Sequence, residues 1–398
     1  MAPAWTNLVL YMGRFGDLLQ GKQVGIEGTE SMFRTTPETA AKIGSILEKY
    51  FGPHSPLPRR EQVLHPEISD AALRATFREY KAPTKDYIHS ITPDRDGKYV
   101  WFTYFTKNKL GRFEIATGKF LEIQLPGQLP SGPSTVLVSK NKNGRVWLST
   151  GGKLYEVEAR SGEFTEHTPP MKIGRTMSEG EDSAGNIWLA GDTIVKFDPR
   201  TAKFQEFQIP KVSNPGEGYE RNLGNVRTEG QMEFGSWVYA LAVDSKDNVW
   251  YTHYDVGHIA RLDPKTKETK TYRIPDAIKI KGITVGPDDT VWFGNFVRGK
   301  LGKLDPKTGQ IEEYHPPTRY AEYYTAVVDK KGPVWLSDFS GSQLTKFNPA
   351  TKEFREYPLP AADGMVRFFG LDPQGRVLYV DFDTGIIGVL DPGDTLTP

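Results

Sequence analysis

Short runs of alternating apolar and polar residues recur along most of this chain, each centred on a tryptophan: KYVWFTY, GRVWLST, GNIWLAG, DNVWYTH, DTVWFGN and GPVWLSD. In a seventh, GRVLYVD, Leu378 takes the tryptophan's place. Alternation of period two over so few residues predicts half-buried β-strands. Trp101, Trp147, Trp188, Trp250, Trp292, Trp335 and Leu378 follow one another at intervals of 46, 41, 62, 42, 43 and 43 residues. Such a repeat fits units of four short antiparallel strands, with one insertion in the long interval. Within each unit a hairpin recurs (LDPKTKET, LDPKTGQI, FDPRTAKF, FNPATKEF), in which proline presets φ and the Asp or Asn side chain caps the turn. The units close on EIQLP, EHTPP, EFQIP, TYRIP, EYHPP and EYPLP, where proline ends an outer edge strand.

A seventh closing strand is missing after VLDPGD, but FREYKAP at 77–83 precedes the first tryptophan, and FREY recurs at 354–357. The pattern therefore predicts an all-β, seven-bladed β-propeller over residues 69–398, closed by its N-terminal strand, which leaves no exposed sheet edge. Residues 1–68 read differently, as a short α-helical segment and linker. Thr36-Pro37-Glu38 starts a helix with Ile43, Ile46, Leu47 and Tyr50 on one face, and Gly52-Pro53 ends it. Trp5, Leu8, Val9 and Met12 are spaced for a second helix, and the Pro-rich, charged stretch 53–68 reads as a linker.

Composition narrows the function. Lys plus Arg and Asp plus Glu each number 50, so no field of one sign draws in nucleic acid or an anionic membrane. No apolar run approaches a membrane span, and MAPAWTNLVLYMGRF lacks the marks of a signal peptide. The absence of cysteine excludes disulfides, thiolate metal sites, a cysteine nucleophile and haem attached through C-x-x-C-H. No P-loop, Rossmann fingerprint, G-x-S-x-G elbow or H-E-x-x-H helix is present.

The repeats G-x-V-W-F-T, L-D-P-x-T-G and E-Y-x-L-P resemble those of the virginiamycin B lyase (streptogramin lyase) family over about residues 77–394. The resemblance implies a seven-bladed propeller that opens a cyclic depsipeptide by elimination, with a magnesium ion and a histidine base. The family's Glu-x-His, thirteen-residue interval and Glu correspond here to Glu322-Tyr323-Tyr324 and Asp338. It thus implies Glu322 and Asp338 as metal ligands, places Tyr324 where the family has its base, and places Lys281 where it has a second histidine. The helical segment, ending ILEKYFGP, is more faintly similar to the C-terminal helices of a class I cytochrome c that sometimes precede such propellers, which implies a periplasmic or secreted protein, with no haem expected in this chain.

The residues also suggest a site without reference to family. Inner propeller strands point side chains toward a central channel whose mouth holds the usual site. The position eleven before each tryptophan (or Leu378) holds Val136, Met177, Tyr239, Lys281, Tyr324 and Arg367, with His89 in the first blade if one extra residue is a bulge. Three residues after it stand Tyr104, Thr150, Gly191, His253, Asn295, Asp338 and Asp381. The candidates are therefore Tyr324, Lys281, His253 and His89 for catalysis, Tyr104, Tyr239, Asn295, Arg367 and Trp237 for a small-molecule or cyclic-peptide ligand, and Glu322, Asp338 and Asp381 for Mg²⁺ or Ca²⁺. In this reading the mouth carries out a metal-assisted elimination or hydrolysis of a cyclic peptide, ester or lactone, in which Tyr324 or a histidine takes the proton and Lys281 steadies the developing oxyanion. The stretch 211–235, with Arg221 and Arg227, suits a lid. Two alternatives are a non-catalytic binding propeller of a redox-associated protein and a lactonase-like calcium propeller using Asn295 and Asp338.

Overall fold

A computed structural model describes residues 41, 42, 44, 45, 69 and 72–393, except 126–132, 134, 141–143, 174–177, 211–237, 254–256, 276, 278, 319, 320, 340, 362 and 363. The chain divides into two compact units, Met1–His65 with Glu217–Met232, and Pro66–Gly216 with Glu233–Pro398. In the first, the described residues 41, 42, 44 and 45 are helical, and Ser45 Oγ donates to the Ala41 carbonyl at 2.9 Å. The expected helix at 4–15, the linker, the candidate lid with Arg221 and Arg227, and Trp237 lie outside the described residues.

The second unit is a seven-bladed β-propeller of four-stranded antiparallel sheets. Six blades run in chain order. The seventh combines Val366–Leu371, Val377–Asp381 and Ile386–Asp391 with the N-terminal strand Thr76–Lys81, in register from Thr76 opposite Asp391 to Lys81 opposite Ile386. FREYKAP thus supplies the missing outer strand, as its likeness to the FREY of the sixth blade implied.

The tryptophans are packing residues: Trp101, Trp147, Trp188, Trp250 and Trp335 are almost wholly buried, and Leu378 fills the same place beside the first blade. Two blades add a lock. Asp182 accepts hydrogen bonds from Asn186 Nδ2 at 2.8 Å and Trp188 Nε1 at 3.0 Å, and Asp244 accepts from Asn248 Nδ2 at 2.9 Å and Trp250 Nε1 at 2.9 Å. The lock needs Asp-x3-Asn-x-Trp. The sixth blade has Pro333 in the Asn position and its Trp335 Nε1 is buried without a partner. The seventh has no indole, and Asp372 accepts from Arg376 Nε at 2.6 Å instead.

The first blade departs for another reason. Pro93 pairs with Val100 across six intervening residues, whereas Val243 pairs with Val249 across five. The extra residue expected as a bulge before Trp101 is thus in the turn. It separates Asp94 from the indole: Trp101 Nε1 and Asp94 Oδ1 are both buried without partners, and burial pushes the Asp94 carboxyl up to about 6.

Aromatic rings lie across glycines of the next strand. Phe102 faces Gly111, Phe293 faces Gly302 and Tyr379 faces Gly388. A methyl group at Gly302 would stand 2.1 Å from the Phe293 ring. Gly302→Ala is expected to lower stability by about 1–3 kcal/mol through overpacking, read from the urea midpoint, whereas substitution at exposed Gly332, which unlike Gly302 is at positive φ but has open space around it, carries only the backbone cost.

Candidate functional site at the propeller mouth

The inner strands Ile88–Pro93, Val238–Val243, Ile280–Val285, Tyr323–Val328 and Val366–Leu371 share one irregularity: the register with the second strand slips just after their first residue. In three of them the backbone N–H beyond the slip finds a hydroxyl two residues after the tryptophan. Ser90 N donates to Thr103 Oγ1 at 3.2 Å, Ala240 N to Thr252 Oγ1 at 3.1 Å and Thr325 N to Ser337 Oγ at 3.2 Å. A bulge of this kind re-aims the side chain beside it. The residue at the slip is His89, Tyr239, Lys281, Tyr324 or Arg367, five of the seven positions that repeat alignment selected.

These five meet through aromatic rings. Tyr239 and Tyr324 hydroxyls are in direct hydrogen-bond contact, and Tyr324 is buried. Lys281 Nζ stands 3.9 Å from the Phe296 ring centroid, 4.2 Å from Tyr324 and 5.6 Å from Phe339. The Arg367 guanidinium lies 3.6 Å over Phe382, 5.4 Å from Phe339 and 5.8 Å from Tyr324. His89, fully buried, stacks on Phe105 at 5.0 Å and also contacts Phe368 and Phe382. Half-buried Lys281 is desolvated by these rings, and the Arg367 and Lys279 charges add repulsion, while Glu322 opposes the effect more weakly. Together they push its ammonium pKa down to about 7.

The aromatic wall is the part that repeat reading missed. Phe105, Phe296, Phe339 and Phe382 each stand four residues after a blade's Trp or Leu378, while the corresponding residues in the second and third blades are Gly151 and Asp192. Extending the alignment by one position was enough to find it.

The residues three after the tryptophan do not join the cluster. Tyr104 donates its hydroxyl to Glu122 of the outer strand Lys119–Gln124 at 2.5 Å, and Asn295 Nδ2 donates to Glu313 of the outer strand Ile311–Tyr314 at 3.0 Å. Lys109 and Lys300 complete these contacts, each 2.9 Å and 2.8 Å from its glutamate. Strand alternation turns these side chains away from the inner strand, so Tyr104 and Asn295 bind the blade to itself rather than a ligand at the mouth. His253 lies in the same repeat position, buried, with its ring 5.1 Å from Tyr251.

Asp338 and Asp381 clamp the start of the inner strands. Asp338 Oδ1 accepts from the Glu322 N–H at 2.8 Å and the Gly341 N–H at 3.1 Å, and Oδ2 accepts from Gln343 Nε2 at 3.3 Å. Asp381 Oδ1 accepts from the Met365 N–H at 3.2 Å and Oδ2 from Thr384 Oγ1 at 2.7 Å. Burial raises the Asp338 carboxyl pKa, and these backbone bonds only partly offset it. Glu322 is half-buried beside them. Among the described residues no group of three or more His, Asp and Glu is placed to hold a metal ion.

Residues 227–397 match the model of the Virginiamycin B lyase family. The propeller is virginiamycin B lyase-like. Its fold is similar to a structure described as streptogramin B lyase, with a TM-score of 0.68, 22% identity, and 81% of this chain and 99% of that one covered. It is also similar to virginiamycin B lyase from Staphylococcus aureus, with a TM-score of 0.66, 19% identity, and coverage of 79% and 99%. A catalytically inactive form of the Staphylococcus aureus enzyme with quinupristin gives a TM-score of 0.67 at 20% identity, with coverage again 79% and 99%. No curated protein sequence matches the chain. Among its described residues, no helix of this lyase-like chain is long and apolar enough to cross a membrane.

Proposed function

We propose that the mouth binds a cyclic, ester-linked ligand and opens its ring by elimination, with Lys281 as the base. The placement of Lys281 carries this reading: its amine lies at the bulge of an inner strand, among Phe296, Tyr324 and Phe339, with its basicity lowered to the range a general base needs near neutral pH. The neutral amine takes the proton from the carbon beside the ligand carbonyl. The released pair forms a carbon–carbon double bond, the carbon–oxygen bond breaks, and the oxygen leaves as a carboxylate. Aromatic walls limit access of water, which favours elimination over hydrolysis. The family likeness and the lyase fold support the same class of reaction.

Tyr324 serves in this scheme as the ring against which Lys281 is held, its hydroxyl being engaged with Tyr239. Tyr324→Phe is therefore expected to keep kcat within about threefold of wild type, well short of the loss that follows removal of a general base. A loss of about a hundredfold would return the proton-transfer role to Tyr324.

No step is routed through a divalent cation. The oxygens of Asp338 and Asp381 already accept protein hydrogen bonds, and Arg367 places positive charge at the mouth, so the arrangement does not fit Mg²⁺ or Ca²⁺. Elemental mass spectrometry of protein dialysed in either ion is expected to find no stoichiometric metal; one ion per chain, lost in a Glu322→Ala, Asp338→Ala double variant, would overturn this.

Quinupristin, bound by the solved relative, is the first ligand to test. Liquid chromatography with mass spectrometry separates the outcomes: elimination gives a linear product of unchanged mass, and hydrolysis adds one water. Recovery of intact ligand from a complex that forms would favour a binding propeller without turnover, a reading that the complete burial of His89 and near-complete burial of Tyr324 also supports.

A further inference from the structure

The reaction above leaves a second cation at the mouth unused. Arg367 lies at the bulge of the seventh blade's inner strand, its guanidinium 3.6 Å over Phe382 and close to Phe339. Its Nε is buried without a hydrogen-bond partner, and the guanidinium forms no ion pair among the described residues. Several half-buried cations of the propeller are paired: Arg376 with Asp372 at 2.6 Å, Lys300 with Glu313 at 2.8 Å and Lys109 with Glu122 at 2.9 Å. Arg261, whose Nε also lacks a partner, lies over the indole of Trp250 at 5.8 Å in the fourth blade rather than in the cluster at the mouth. Arg367 shares the Tyr324 and Phe339 rings with Lys281, and its charge helps lower the Lys281 pKa. A half-buried guanidinium with an unpartnered Nε and no counter-ion among the described residues leaves hydrogen-bonding capacity that a bound anion would fill.

We propose that Arg367, backed by Phe382 and Phe339, is a subsite for the carboxylate of an organic acid. Three features select that class. The planar guanidinium fork matches a carboxylate in bidentate fashion. The surrounding rings accept an apolar body attached to the carboxylate, and Tyr87, partly exposed and stacked on Phe382 at 5.0 Å, extends this wall outward. A phosphate, more strongly hydrated and with no apolar body, gains less from the same wall. The assignment rests on the proposed reaction in one respect: the carboxylate released by ring opening would be the group that Arg367 receives.

Titration calorimetry on the full chain tests the subsite without requiring turnover, using benzoate, phenylacetate, benzyl alcohol and inorganic phosphate as probes. The two carboxylates are expected to bind about tenfold or more tightly than benzyl alcohol or phosphate, and Arg367→Met to abolish that preference. Arg367→Lys keeps the charge without the fork; it is expected to fall between the two and serves if the methionine variant does not fold. Equal binding of acid and alcohol by wild type, an unchanged preference in either variant, or tighter binding of phosphate than of benzoate would overturn the assignment. Turnover is read separately. Absence of ring opening with the carboxylate preference intact sinks the proposed reaction and leaves the subsite standing, whereas ring opening without any carboxylate preference does the reverse.

Discussion

Lys281→Met is expected to lower kcat/KM for ring opening by about 10²–10⁴-fold, the range that removal of a positioned general base produces. Wild-type activity is expected to rise with pH and level off above about 7, because the amine must be neutral to accept a proton and its pKa is pushed down to about 7. Lys281→Arg, which stays protonated, is expected to be as inactive as the methionine variant. The same group sets a stability trend. The folded-state pKa lies below the ordinary value of 10.5. Between the two, the unfolded chain binds more protons at this site, so its contribution to stability rises with pH over that window. The cost of burying the charge is fully present below about pH 7. Lys281→Met removes this trend, and a variant that lost activity while keeping the rise in stability with pH would contradict the assignment.

Asp244→Ala is expected to cost about 3–5 kcal/mol of stability, as is the equivalent change at Asp182. Asp244 is buried and accepts from the backbone N–H groups of Lys246 at 2.9 Å and Asn248 at 2.8 Å as well as from the Trp250 indole at 2.9 Å. Truncation leaves these donors without partners inside the blade, each costing on the order of 1–3 kcal/mol before relaxation. Asp263 provides the control. It caps the exposed turn at Lys265 with a 2.8 Å bond, where water replaces the lost acceptor, so Asp263→Ala should cost about 1 kcal/mol or less. Urea midpoints that moved equally for the two variants would contradict the lock.

The propeller was legible because each blade repeats the same packing problem and solves it with the same letters. Trp101 to Leu378 marked the second strand of every blade, and FREYKAP supplied the missing edge. The site was half legible for a geometric reason. A repeat alignment gives the position of a residue along its strand, and it found the bulge residues Lys281, Tyr324 and Arg367. It does not give the face. Tyr104 and Asn295 align with the mouth but turn toward the outer-strand glutamates Glu122 and Glu313. Asp338 and Asp381 read as metal ligands by spacing and charge, yet spacing cannot show that the N–H groups of Glu322 and Met365 already occupy their oxygens. Phe105, Phe296, Phe339 and Phe382 were hidden by their ordinariness, since an aromatic after a strand reads as core until its neighbours prove to be cations.

Lysine side chains of the intact protein, labelled with ¹³C and followed by NMR from pH 5 to pH 11, test the claim that Lys281 is a neutral base at the mouth. One lysine titrating near pH 7 and absent from the Lys281→Met spectrum is the predicted result. A spectrum in which every lysine titrates near its ordinary value would contradict it.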